Sequence, residues 1–88
     1  MTNFPWPDPF VRGRRYRVRV PFDAPRDHFE PGEILEYQHP ASSRYDSMVG
    51  YFFTDATGRW RSWDLSYAEV DKTIQAWPEL FEAVDGSA

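Results

Sequence analysis

One hairpin constrains this chain more than any other feature. Met48–Thr54 and Arg59–Leu65 are aromatic-rich runs separated by Asp55-Ala56-Thr57-Gly58. Gly58 suits a left-handed backbone, so the spacing predicts a type I turn closed by a glycine bulge. That turn fixes the register of both strands. Asp55 faces Arg59, Phe53 faces Arg61, Tyr51 faces Trp63 and Val49 faces Leu65, and these pairs share the apolar face. Thr54 with Trp60, Phe52 with Ser62, and Gly50 with Asp64 fall on the other. Trp60 and Trp63 lie an odd number of positions apart, which a regular strand places on opposite faces. The hairpin therefore carries a core face and a second, smaller aromatic patch of Phe52 and Trp60.

The rest of the chain reads as short strands and loops. Arg15 to Phe22 alternates, with Tyr16, Val18, Val20 and Phe22 on one side and Arg15, Arg17 and Arg19 on the other, the pattern of a half-buried strand. Pro21 marks its end. Residues 23–32 read as a loop closed by a Pro31-Gly32 turn. Glu33 to Gln38 is a second strand, and residues 39–47 a second loop. Ser66-Tyr67-Ala68-Glu69 matches a capping box, and Tyr67, Val70, Ile74 and Trp77 recur at helical spacing. Pro78 disfavours helix at the residue before it, so the helix is expected to stop near Ala76. Glu79 to Val84 fits a short closing strand or a last helical turn, with the strand preferred. The core is expected to hold Tyr16, Val18, Val20, Phe22, Phe29, Leu35, Tyr37, Tyr51, Phe53 and Trp63, with Tyr67 and Trp77 under the helix.

Composition bounds the chemistry. A chain of 88 residues buries about 64% of its extended surface, enough for one core and no deep cavity. With no cysteine, disulfides, thiolate metal sites and thiol catalysis are excluded, and a reducing cytoplasm fits. No apolar run reaches membrane-spanning length, and the N-terminus lacks the basic start and apolar stretch of a signal peptide. The net charge of −4 is divided unevenly: residues 1–26 hold six Arg against two Asp, and residues 27–88 hold four basic groups against twelve acidic ones. An acidic total argues against broad nucleic-acid binding.

The N-terminal run Phe4-Pro5-Trp6-Pro7-Asp8-Pro9-Phe10 has proline at every second position and favours an extended course. Three aromatics in such a segment are costly to leave in water. Residues 1–11 are therefore expected to form an arm that folds back onto a single domain, 12–84, with 85–88 frayed.

At Phe29-Glu30-Pro31-Gly32-Glu33-Ile34-Leu35-Glu36-Tyr37 the chain resembles the diverging turn of SH3-like domains, an aromatic, two residues, Gly-Glu and then alternating apolar positions. The order of elements over residues 14–84 resembles theirs too. What the resemblance implies is a mainly β fold, a small SH3-like five-stranded barrel with one short α-helix near the C-terminus. It does not carry the proline-rich ligand of SH3 domains. Val20-Pro21-Phe22-Asp23-Ala24 stands in place of their Ala-Leu-Tyr-Asp-Tyr run, and the tandem Trp and Pro-Ser-Asn-Tyr segments are missing. The pattern Tyr16…Phe29-x-x-Gly32-Glu33…Ser43-Arg44-Tyr45-Asp46…Trp63-Asp64-Leu65 also resembles a family of small uncharacterised bacterial domains, which supplies no activity.

Motifs for catalysis are absent: no Gly-x-Ser-x-Gly elbow, no glycine-rich phosphate loop and no HExxH run. His28 and His39 have no metal-ligand spacing. The chain is expected to be non-enzymatic, with no cofactor, metal or small-molecule substrate. Its expected role is a cytoplasmic protein-interaction module. The partner-binding residues are Trp6, Arg44, Tyr45, Phe52 and Trp60, since exposed aromatics beside arginine anchor interfaces. The partner is another protein, or a second copy reached by exchange of the N-terminal arm. A nucleic-acid binder would use Arg12, Arg14, Arg15, Arg17 and Arg19 instead, unless neighbouring acids neutralise them. A toxin-neutralising immunity protein is a third reading, suited by acidity.

Overall fold

The computed structural model describes residues 4–84. The expected frayed tail, 85–88, lies outside the described residues. Seven strands and two short helices follow one another: β1 (Arg15–Val18), β2 (Phe22–Ala24), β3 (Asp27–Phe29), β4 (Ile34–Ser43), β5 (Met48–Thr54), β6 (Trp60–Ser66), α1 (Val70–Ile74), α2 (Trp77–Leu80) and β7 (Phe81–Ala83). Five strands form one antiparallel sheet in the order β6-β5-β4-β1-β7, and β2 and β3 form a separate hairpin.

The β5–β6 register is the one the turn dictates, from Val49 opposite Leu65 to Thr54 opposite Trp60. Gly58 takes φ 86°. Asp55 braces the turn: its Oδ1 accepts from the Thr57 amide at 3.0 Å, the Thr57 hydroxyl at 2.6 Å and the Arg59 amide at 3.0 Å. The Pro31-Gly32 turn also forms, with Gly32 at φ 94° and the Glu33 amide donating to the Glu30 carbonyl at 3.3 Å.

The sheet does not close. Among the described residues β6 and β7 stand at its two edges, so the closed five-stranded barrel expected from sequence is not found. The alternating run from Arg15 leaves the sheet after Val18, where the Val18 amide and carbonyl bond Glu33 and Gly32, and the Arg19 amide turns to the Leu80 carbonyl. Val20 is consequently 41% exposed rather than in the core. Phe22 to Phe29, expected as strand end and loop, instead fold into the β2–β3 hairpin around Pro25-Arg26. Phe22 stacks on Phe29 with ring centroids 4.7 Å apart.

Residues 39–43, expected as loop, continue β4 and pair with β5 past a bulge at Gln38. Arg12 Nε donates to the carbonyl of Gln38 at 2.8 Å. β1 reaches only the first part of β4, so Pro40 meets an edge where its missing N–H costs no ladder bond.

The single helix from the capping box is also corrected. Ser66 stays in β6, paired with Met48, and α1 begins only at Val70, too far along for Ser66 to cap it. Glu69 takes the cap position of α1 without a side-chain bond. The apolar stripe survives: Val70 and Ile74 are buried, and Tyr67 and Trp77 are partly so. Pro78 sits in the first turn of α2, where a missing N–H is harmless. Both endings foreseen for residues 79–84 thus occur in succession, a helical turn and then β7.

The arm belongs to the core. Phe10, 5% exposed, lies among Tyr16, Tyr37, Phe53, Trp77 and Phe81 at centroid distances of 5.1 to 5.5 Å. Tyr37 donates its hydroxyl to Asp8 at 2.8 Å, and Tyr51 to the Pro7 carbonyl at 2.6 Å. Burial pushes both phenols above the ordinary tyrosine range.

Candidate functional site

The second face of the hairpin stays open. The arm and helices pack on the face of Tyr51, Phe53 and Trp63, leaving Phe52 half-buried and Trp60 57% exposed on the other. Phe52 and Trp60 meet edge-on at 6.5 Å, and His39 of β4 closes the group at 5.5 Å from Phe52 and 5.8 Å from Trp60.

Beside this patch lies a cleft of about 640 Å³, lined by Pro25 and Arg26 on one side and by Ala41, Met48, Gly50, Phe52 and Asp64 on the other. Gly50 makes its floor. A Cβ there would stand 2.8 Å from Asp64 Oδ1 and 3.0 Å from the Phe52 ring, so glycine lets the carboxylate and the ring lean over the strand. A smaller hollow of about 190 Å³ shares Arg26 and Phe52 with the cleft and extends to Asp27, Trp60, Arg61 and Ser62.

The charges of this face are ordered by burial. Asp64 keeps only 3% of its side chain exposed, yet its cation, Arg26, keeps 66%. Arg26 grips Asp64 with Nε to Oδ2 at 2.7 Å and Nη2 to Oδ1 at 3.1 Å, a two-point fork. The Asp64 bond raises the pKa of Arg26. One residue further on, Asp27 turns inward to Arg61, whose side chain is 2% exposed. Arg61 also donates to Glu33 at 2.9 Å and to the His28 carbonyl at 2.6 Å, with its guanidinium 5.0 Å from the Phe29 ring centre. Burial alone would raise Asp27 and Glu33, but the bonds from Arg61 outweigh it and hold both below the ordinary carboxylate range. Asp27 Oδ2 also accepts the amide of Ser62 at 3.2 Å, which covers that point of the β6 edge.

The five residues singled out for partner binding separate into three places. Phe52 and Trp60 stand together. Arg44 and Tyr45 occupy the exposed β4–β5 turn, Tyr45 at 101% exposure, next to Asp46 at the cleft end. Trp6 is elsewhere: it stacks on Tyr67 at 4.8 Å, on the arm side. The arginine row is engaged within the fold. Arg17 pairs with Glu82 at 2.8 Å, Arg19 donates to the Pro78 carbonyl at 2.6 Å, and Arg12 holds Gln38. Arg14 is half-buried, and Arg15 is the cross-strand neighbour of Glu36. Sequence reasoning placed Asp64 beside Gly50 but missed Arg26, because nothing in Ala24-Pro25-Arg26-Asp27 signals that this turn folds over β6.

Among the described residues no group of His, Asp or Glu is arranged to hold a metal ion, and no helix is long and apolar enough to cross a membrane. The fold is shared with a solved structure, an integron cassette protein from the mobile metagenome of Vibrio cholerae. The two are similar with a TM-score of 0.67 and 22% sequence identity over 83% of each chain. At that identity the likeness is one of fold. No family model matches the chain, and neither does any curated protein.

Proposed function

We propose that this small all-β protein is a non-catalytic interaction module that binds a segment of a partner protein across the open face of β4, β5 and β6. The observation that carries this reading is Trp60, held out at 57% exposure beside Phe52 and a cleft of about 640 Å³. A large aromatic next to a concave, partly apolar surface is the usual anchor of a protein contact. The strand order, with a hairpin inserted before β4 and a helical turn before β7, supports relating the fold to SH3-like domains. It lends no ligand class. A protein partner is favoured over nucleic acid because Arg17 already pairs with Glu82, while Arg12 and Arg19 are tied down by hydrogen bonds to backbone carbonyls.

The experiment is selection of displayed random dodecapeptides on the intact chain, followed by calorimetry of the enriched peptides on wild type, Phe52→Ala and Trp60→Ala. Affinity is expected to fall at least about tenfold in both variants, as for residues central to a contact. Peptides that bind both variants undiminished would overturn the reading.

A further inference from the structure

We infer that Arg26 is a displaceable latch, and that the partner segment enters by placing its own arginine on Asp64. This rests on the open face being the binding face and names the chemistry of what it binds.

The argument starts from the mismatch in burial. A carboxylate with 3% of its side chain exposed needs a permanent counter-charge, because removing one partner of a buried pair leaves a costly bare ion. The cation that supplies it is two-thirds exposed and comes from the tip of a hairpin whose strands are only three residues long. Arg26 can therefore leave into water, but only if another cation takes its place. The fork of Nε and Nη2 on the two carboxylate oxygens defines that replacement as a guanidinium, since an ammonium offers one point of charge where the site receives two parallel donors.

Two further features fit an exchange. Arg26 and Phe52 form the wall common to the cleft and the smaller hollow. Swinging Arg26 away joins the two into a single trough running from Asp46 past Asp64 to Trp60. The hairpin need not unfold for this, because the next residue, Asp27, stays fixed to Arg61 and to the Ser62 amide. Charge is complementary as well: Asp46 lines the same cleft and adds to the field on Arg26, so a basic segment with an apolar side chain nearby meets Asp64 and Asp46 together with Met48 and Phe52.

The dodecapeptide selection described above provides the probe. Enriched peptides are expected to carry an arginine close to an apolar residue. In wild type, binding should move the Arg26 Nε–H resonance from its carboxylate-bonded position to that of a hydrated guanidinium. Replacing the peptide's arginine by citrulline, which keeps the shape and loses the charge, should weaken binding at least tenfold, and lysine should fall between. Asp64→Asn should weaken it similarly, and Arg26→Gln should strengthen it severalfold by removing the internal competitor. Arg26→Gln strips Asp64 of its cation and could loosen the fold, so the citrulline peptides and the wild-type resonance decide the matter without it. Peptides that depend on Trp60 but lack a cation, or that leave the Arg26 signal in place, overturn the latch and spare the interaction face. If no selected peptide responds to Trp60→Ala, both fall.

Discussion

Arg61 donates its Nε proton to Asp27 at 2.9 Å, and this bond fastens the β2–β3 hairpin to the long sheet. The same guanidinium reaches Glu33, just before β4, and covers Phe29. One buried cation thus ties β6 to the entry of β4 and to a hairpin whose strands are only three residues long. Arg61→Ala is expected to cost about 3 kcal/mol, since it leaves carboxylates without their partner. Arg61→Lys should recover only part, because one ammonium cannot span both acids. Urea denaturation followed by circular dichroism measures each loss. A change under 1 kcal/mol in the alanine variant would show that the hairpin is held without Arg61, by its aromatic packing and its other bonds to β6.

The pH dependence follows from the same cluster. Asp27 and Glu33 lie below their ordinary values of 3.8 and 4.5, so their contribution is fully present above those values and is lost as pH falls through the lower, folded-state ones. Stability should therefore decline below about pH 4.5, more gently in Arg61→Ala. His28 has the opposite sign. Bonds to Asp23 and then Glu30 raise it above 6.5, so its contribution is present below that pH and is lost as pH rises through the folded value. His28→Gln should remove that alkaline decline and leave the acid limb unchanged. Thermal melts from pH 3 to 9 separate the two limbs.

Phe10 shows that the arm is structural. Its ring is buried among aromatics drawn from β1, β4, β5, α2 and β7, so truncation leaves a hole at the centre of the core. Phe10→Ala is expected to cost at least about 3 kcal/mol, a fall in Tm of roughly 12–24 °C for a domain of this size. Removing residues 1–10 should cost no less, because Asp8 and Pro7 lose their bonds to Tyr37 and Tyr51. A truncated chain that melts with wild type would show that the arm does not hold the core.

What could be read from the sequence divides along a physical line. The β5–β6 hairpin was legible pair by pair because a turn of set chemistry fixes register, and register fixes faces. Arg61 was placed on the apolar face by that same logic. Its partners were not legible, because Asp27 reaches it from the β2–β3 hairpin, whose three-residue strands show no periodicity, and Glu33 from the turn that follows. The pairing of Phe22 with Phe29 around Pro25-Arg26 was the available sign. Val20 failed for a related reason: alternation marks a strand only while the partner continues, and Glu33 and Leu80 draw the backbone aside after Val18. Ser66 failed as a helix cap because β6 runs on through it and the helix starts only at Val70. The open face itself was legible as Phe52 and Trp60, but the cleft beside them depends on where the turn at Arg26 lands, a long-range fact.

Trp60 and Gly50 test the candidate site from opposite directions. Trp60 is exposed and among the described residues has Phe52 and His39 as its ring neighbours, so Trp60→Ala should change stability by no more than about 1 kcal/mol while removing the anchor of the partner contact. Gly50→Ala should do the reverse to the fold. Its Cβ would lie 2.8 Å from Asp64 Oδ1 and 3.0 Å from the Phe52 ring, and Asp64 cannot yield freely while Arg26 grips it at two points. Overpacking of this kind costs about 1–3 kcal/mol. It also pushes Phe52 and Asp64 out of position, so binding should fall along with stability. Calorimetry of a selected peptide and urea denaturation, run on both variants, read the two effects independently. A Gly50→Ala chain with wild-type stability and affinity would mean that the floor of the cleft is looser than these distances require.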